Sequence, residues 1–168
     1  MNIVLIGMPA CGKTTIAKNL STLIKFDNID SDKYLEKNEN KIIKDIFSEK
    51  GEDYFRDLEE KYIKELSKKN NIIISTGGGV IKRENNILNL KNNGKIIFID
   101  RSIKDIAKEN HDNRPLLQNK DNIVKLYNER YHLYKKYADI SIKNDSTINL
   151  LLDKIMNYLK QEKIVWNY

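Results

Sequence analysis

Apolar residues gather in short unbroken runs: Ile3-Val4-Leu5-Ile6, Ile72-Ile73-Ile74 and Ile96-Ile97-Phe98-Ile99. Such runs, β-branched and bounded by polar residues, read as strands buried on both faces. Phe26–Asp30 and the stretch near Asp139–Ile142 read as two further short strands. Between the strands the apolar positions recur every three or four residues, the period of a helix with one buried face. This predicts helices after Gly12, over 84–92, over about 121–137 and over about 147–160, with Ser102 able to cap another. Residues 33–69 carry the same period through Ile42, Ile46, Tyr54, Phe55, Leu58, Tyr62 and Leu66, with Gly51 interrupting it. Two or three short helices and one long one are expected there. Strands that are continuously rather than alternately apolar, interleaved with helices, predict a parallel sheet covered on both sides. The expected fold is α/β, a three-layer α/β/α sandwich forming a single domain over 1–168. Residues 110–120, Asn-His-Asp-Asn-Arg-Pro-Leu-Leu-Gln-Asn-Lys, lack periodicity and read as a loop or lid.

Composition narrows the class. The 168 residues suffice for one domain with a real core, and no run approaches the ~20 apolar residues of a membrane span. The chain enters its first strand at once, which predicts no signal peptide, and its one cysteine excludes an internal disulfide and suits a reducing cytoplasm. A net charge of +6 raises the question of nucleic acid. The lysines are scattered over helix faces, in pairs at most, such as Lys68-Lys69, so neither a nucleic-acid nor a membrane partner is expected. Only five cations are arginine: Arg56, Arg83, Arg101, Arg114 and Arg130. In so lysine-rich a chain, an arginine points to a need for its planar, bidentate fork.

The chemistry starts at Gly7-Met8-Pro9-Ala10-Cys11-Gly12-Lys13-Thr14, a G-x-x-x-x-G-K-T set between a strand and a helix. That context defines a P-loop. Gly7 and Gly12 permit a tight turn and close approach of phosphate. The amides of Ala10, Cys11, Gly12, Lys13, Thr14 and Thr15 face an anion at the positive helix end. Lys13 reaches the β/γ-phosphates, and Thr14 is placed to ligate Mg²⁺. Asp30 and Asp32 follow the second strand. They can hold the metal and take a substrate proton, or cap the next helix. Gly77-Gly78-Gly79 follows the third strand, either bringing backbone against a ligand or making a tight turn. Arg56 has Glu59 and Glu60 at i+3 and i+4 to aim it, or forms an ordinary surface pair. Arg114 stands before Pro115 in the loop and Arg130 before Tyr131 on the helix that follows, each singly readable as a surface cation. All the strand-end motifs fall at one sheet edge, where such folds bind ligands. His111 and His132 lack a partner at metal-ligand spacing.

Taken together, these motifs resemble the shikimate kinase family over essentially the whole chain. The P-loop, Asp30-Ser31-Asp32, Phe55-Arg56 with Glu59-Glu60, Gly77-Gly78-Gly79, Arg114-Pro115-Leu116-Leu117, and Arg130 with Leu133-Tyr134 occur in the family's order. The resemblance implies a nucleoside-monophosphate-kinase-like fold with a five-stranded parallel sheet in order 2-3-1-4-5. It implies transfer of the ATP γ-phosphate to the 3-hydroxyl of shikimate, with Mg²⁺ as cofactor, by a cytoplasmic monomer. By position it implies Lys13, Asp32 and Arg114 as catalytic residues and Thr14 and Asp30 as metal ligands. Asp32, Arg56, Gly78, Gly79 and Arg130 would bind shikimate, and Arg114 with Ala10–Thr15 would bind ATP. Residues 33–69 would form the substrate-binding region and 110–120 the lid. The chain departs from the family pattern twice. Residues 107–113 hold no arginine where members commonly carry arginines that stack on adenine, and Cys11 stands where a small residue such as serine is usual. Beside Lys13 at a helix N-terminus, Cys11 is expected to be either a reactive thiol or a buried filler. Other small-molecule P-loop kinases, for gluconate or nucleotides, and a non-catalytic nucleotide-binding module are the rival readings.

Overall fold

The computed structural model describes residues 1–108 and 120–165. Five strands form one sheet: β1 (Asn2–Ile6), β2 (Asp27–Asp30), β3 (Ile72–Ser75), β4 (Gly94–Asp100) and β5 (Ile140–Lys143). Their order is β2-β3-β1-β4-β5 and every pairing is parallel. The helices are α1 (Lys13–Ile24), α2 (Ser31–Glu39), α3 (Ile43–Ser67), α4 (Glu84–Asn92), α5 (Ile103–Ile106), α6 (Lys120–Tyr137) and α7 (Ile148–Gln161), with a 3-10 turn at Val80–Lys82. The order and the parallel pairing are those expected from the sequence.

β1, β3 and the middle of β4 are buried on both faces, which is why they read as unbroken apolar runs. The expectation of continuous burial fails at the two edges. β2 is Asp-Asn-Ile-Asp and partly exposed, and β5 buries only Ile142. Edge strands have one neighbour and less cover, so polar side chains cost little there. Three helix starts are capped as their sequences suggest. Asp30 accepts from the amides of Asp32 and Lys33, Ser102 from Asp105, and Thr147 from Leu150.

The main core packs both faces of the sheet. A smaller cluster of Leu35, Ile46, Phe55, Leu58 and Tyr62 lies between α2 and α3. That second cluster gives residues 33–69 a packing centre of their own. Gly51 breaks the long helix as expected, with φ 83° and ψ 176°, outside the range an L side chain adopts comfortably. The strand order switches at β1, with β2 and β3 on one side and β4 and β5 on the other, so the loops after β1, β2 and β3 open on one crevice at the carboxyl edge.

Candidate active site

The P-loop occupies the centre of that crevice. α1 starts at Gly12 with φ 101°, and neither a side chain caps it nor an acidic residue sits in its first turn. Its free N–H groups and the helix dipole therefore favour an anion. The Lys13 side chain curls back over the loop and donates to the carbonyls of Gly7 at 2.8 Å and Met8 at 2.9 Å. This parks a nearly buried ammonium at the anion site. Gly7, at φ 147°, cannot be anything else, because a Cβ would lie 2.8 Å from the Ile99 carbonyl and 2.9 Å from the Cys11 sulfur. Cys11 itself is 0% exposed, and its thiol lies 3.6 Å from Lys13 Nζ. The filler role fits this geometry, and the reactive-thiol expectation does not.

Beside the loop, Thr14 Oγ1 donates to Asp30 Oδ2 at 3.2 Å, and Ser75 Oγ donates to the same oxygen at 3.3 Å. The capping reading of Asp30 holds, since its other oxygen accepts from the first amides of α2. Thr14 and Asp30 are hard oxygen donors of the kind Mg²⁺ takes. Among the described residues no three His, Cys, Asp or Glu side chains cluster as a protein-only cage. A Mg²⁺ ion here would complete its shell with water and phosphate oxygens. Asp32 sits deeper. Burial, with Asp30 and Glu59 nearby, pushes its pKa up to about 7, against the pull of Lys13. A carboxyl titrating there is suited to accept a proton at neutral pH.

The triple glycine has a reason the sequence did not show. None of the three has a positive φ. Each is instead pressed against a side chain of the site. A Cβ on Gly77 would come within 2.5 Å of Asp32 Oδ1, on Gly78 within 2.8 Å of the Pro9 ring, and on Gly79 within 2.5 Å of both terminal nitrogens of Arg56. The glycines let the loop after β3 close onto the carboxylate, the P-loop and the guanidinium at once. Gly79→Ala should therefore push the Arg56 fork aside, and a displacement of ~1 Å can cost about a hundredfold in an oriented site. We expect the KM for an anionic acceptor held by Arg56 to rise by about that factor, read from initial rates, with nucleotide affinity within twofold of the parent by calorimetry.

Arg56 is 9% exposed. Its Nη1 donates to Glu59 at 2.7 Å, while Nε and Nη2 donate to Glu52 at 3.3 and 3.2 Å. The expected pairing with Glu60 is not made. Glu60 turns to Arg83 and Asn85 on the next layer. The missed partner, Glu52, stands four residues before Arg56 on α3 and also binds Lys82. Its i,i+4 spacing to Arg56 was there to be read, and the downstream glutamates distracted from it. Burial raises the Glu59 pKa, with Arg56 and Arg130 opposing. Arg130 arrives from α6, where its Nη1 donates to the Gly78 carbonyl at 3.2 Å. The buried Tyr134 hydroxyl donates to the same oxygen at 2.6 Å. Tyr134, stacked on Phe98 at 5.2 Å, is a site-building residue that sequence reasoning quoted only as part of a motif.

Lys13, Thr14, Asp30, Asp32, Arg56, Glu59, the three glycines and Arg130 line one cavity of about 360 Å³, within the range of small-molecule sites. Its far wall is apolar, formed by Ile43, Phe47 and Phe55. Two arginines, a carboxylate and a phosphate loop lining one cavity can hold an anionic acceptor against a nucleotide. Arg114, His111 and the lid span lie outside the described residues, except Lys120, which starts α6.

Comparison with known proteins gives the same answer as the geometry. The family model described as "Shikimate kinase" matches residues 9–162. A Clostridium botulinum (strain Alaska E43 / Type E3) shikimate kinase is 45% identical over 155 residues, spanning 91% of this chain and 93% of the relative. The shikimate kinase of Acinetobacter baumannii, solved in complex with shikimate, superposes with a TM-score of 0.90 at 29% identity, covering 98% of this chain and 95% of the other. The Aquifex aeolicus shikimate kinase superposes at 0.85 with 36% identity, covering 97% and 98%.

Proposed function

The chain belongs to the shikimate kinase family, and from that premise we infer that it transfers the γ-phosphate of ATP to the 3-hydroxyl of shikimate, on the route to the aromatic amino acids. The single observation that carries the residue-level reading is the pressing of Gly77–Gly79 against Asp32, Pro9 and Arg56, which joins acceptor and phosphate sites in one cavity.

We assign the roles by reach and charge. The P-loop amides and Lys13 hold the β- and γ-phosphates. Arg56 and Arg130 grip the shikimate carboxylate, for which a planar fork is suited. The backbone of Gly78 and Gly79 meets the ring hydroxyls. Asp32 holds the 3-hydroxyl and accepts its proton as the oxygen attacks the γ-phosphorus and the bond to the ADP oxygen breaks. Thr14 and Asp30 would hold Mg²⁺, which supplies neutralising charge to the phosphates. The basic Arg114, in a lid at 110–120, would close on those phosphates and keep water from the transferring group. Residues 33–69 would form the substrate-binding region. The family resemblance implies a monomer. No helix among the described residues is long and apolar enough to cross a membrane. Dependence on ATP and a single cysteine support a cytoplasmic setting.

The test is ADP release from Mg-ATP with shikimate, gluconate, nucleoside monophosphates or no acceptor in parallel. Turnover with shikimate alone is expected. Turnover with a different acceptor would overturn the substrate assignment, and ATP binding without any turnover would point to a non-catalytic module.

A further inference from the structure

Arg101 is one of the five arginines, and no role above uses it. It follows β4, and its Nη1 donates to the carbonyl of Ala10 in the P-loop at 3.1 Å, across 91 residues of chain. Asn144 follows β5, and its Nδ2 donates to the next carbonyl, that of Cys11, at 2.9 Å. Both contacts are partly buried. They fall on the strained part of the loop. Met8 to Cys11 is a turn closed by the Cys11 amide on the Met8 carbonyl at 3.2 Å, with Pro9 second and Ala10 third. Ala10 has φ 64°, a conformation that a turn with proline second normally assigns to glycine. Two residues on, Gly12 is also left-handed at φ 101°. Backbone held in such sparsely populated states persists only where its surroundings over-determine it.

We propose that Arg101 and Asn144 are positioning residues for nucleotide binding, holding the strained Ala10 and Cys11 peptides in the orientation that binds phosphate. A trans peptide points its C=O and N–H in opposite directions. Asn144 pulls the Cys11 carbonyl outward, so the Gly12 amide on the same peptide turns into the anion site. Arg101 acts one peptide earlier, where the amide is the Cys11 N–H that closes the turn on Met8, and fixes the carbonyl of the left-handed residue so that the turn cannot flip. The Gly7 and Met8 carbonyls are already taken by Lys13, so the carbonyls of Gly7, Met8, Ala10 and Cys11 all face donors and away from a phosphate oxygen. The arginine also brings a positive charge to the P-loop flank in a chain whose residues 107–113 hold no arginine. The two braces come from the ends of neighbouring strands β4 and β5, rigid elements that do not belong to the acceptor side.

The proposal rests on the kinase reading only for the identity of the nucleotide. Its test is therefore binding rather than turnover. Calorimetric titration of Mg-ADP into the full chain should show about fivefold weaker binding for Arg101→Gln and for Asn144→Ala, the loss of one neutral or charge-assisted hydrogen bond each. The pair together should lose more than either. Arg101→Lys, which keeps a cation and a donor without the fork, should recover part of the loss. The KM for shikimate at saturating ATP should stay within twofold, because the acceptor groups lie on other elements; a general loss of structure would raise both. If Arg101→Gln does not fold, Asn144→Ala decides alone. ADP affinities within twofold of the parent in the folded variants would overturn the proposal. Parent protein that binds ADP yet ignores shikimate would instead overturn the substrate assignment and leave this one standing.

Discussion

Asp32→Asn is expected to lower kcat with shikimate by about a hundred- to ten-thousandfold, the usual worth of a positioned general base. The amide keeps the shape of the carboxyl but cannot take the proton of the acceptor hydroxyl. The parent should show kcat/KM rising with pH through a midpoint near the Asp32 pKa of about 7, since only the ionised form is a base. The variant should have lost that limb. A second consequence concerns stability. The folded protein holds the Asp32 proton more tightly than the unfolded chain, whose carboxyl titrates at its ordinary 3.8. Between about pH 4 and 7 the native state therefore binds more protons, and stability falls as the pH rises through that window. Asparagine removes this term. Asp32→Asn should melt above the parent at pH 8 and level with it at pH 4, with ~2–4 °C for each kcal/mol relieved in a chain of this size. A variant that is inactive but no more stable at pH 8 would mean that Asp32 is not under electrostatic stress. Activity within tenfold of the parent would remove it as the base.

The fold was legible because its signals are local and mutually consistent. The apolar runs at 3–6, 72–74 and 96–99 are short and β-branched. The three capped helices begin at side chains that can reach their own backbone amides. What misled was exposure. Asp27-Asn28-Ile29-Asp30 pairs with β3 along its length although its pattern resembles neither a buried nor an alternating strand. In the site, the residue types were readable and their partners were not. Glu52, Glu59 and Glu60 are all at helical reach of Arg56 or its neighbours, and which one it meets depends on where Lys82 and Arg83 arrive from the loop after β3. Likewise, Gly77–Gly79 announced close approach, yet what approaches is fixed by three separate elements. Arg101 and Asn144 carried no local signal at all, because their targets lie 91 and 133 positions away.

The same long-range placement makes Arg56 the position where binding and stability are most tightly joined. Arg56→Ala removes the fork proposed to hold the substrate carboxylate, and it strands Glu59, a carboxylate only 3% exposed. Truncating one side of a hydrogen-bonded charge pair costs about 2–5 kcal/mol in binding, so shikimate affinity should drop by about a hundredfold or more. Leaving the other charge buried costs about 3–5 kcal/mol in folding. The two losses are separable. Burial already drives the Glu59 pKa upward and Arg56 is the first of the groups holding it down. Without the arginine, Glu59 should take up a proton more readily as the pH falls, so Arg56→Ala should regain more stability toward pH 5 than the parent does through Asp32. Adding Glu59→Gln should restore stability at pH 8 in the same way, with no return of shikimate affinity, since the amide repairs the buried site and not the fork. Urea unfolding of the three proteins at pH 8 and pH 5, beside shikimate titrations at each pH, reads both effects. If Arg56→Ala were as unstable with Glu59→Gln as without it, the stranded carboxylate would not be the source of the loss. The second cluster of Phe55, Leu58 and Tyr62, packed beside it, would then be the place to look.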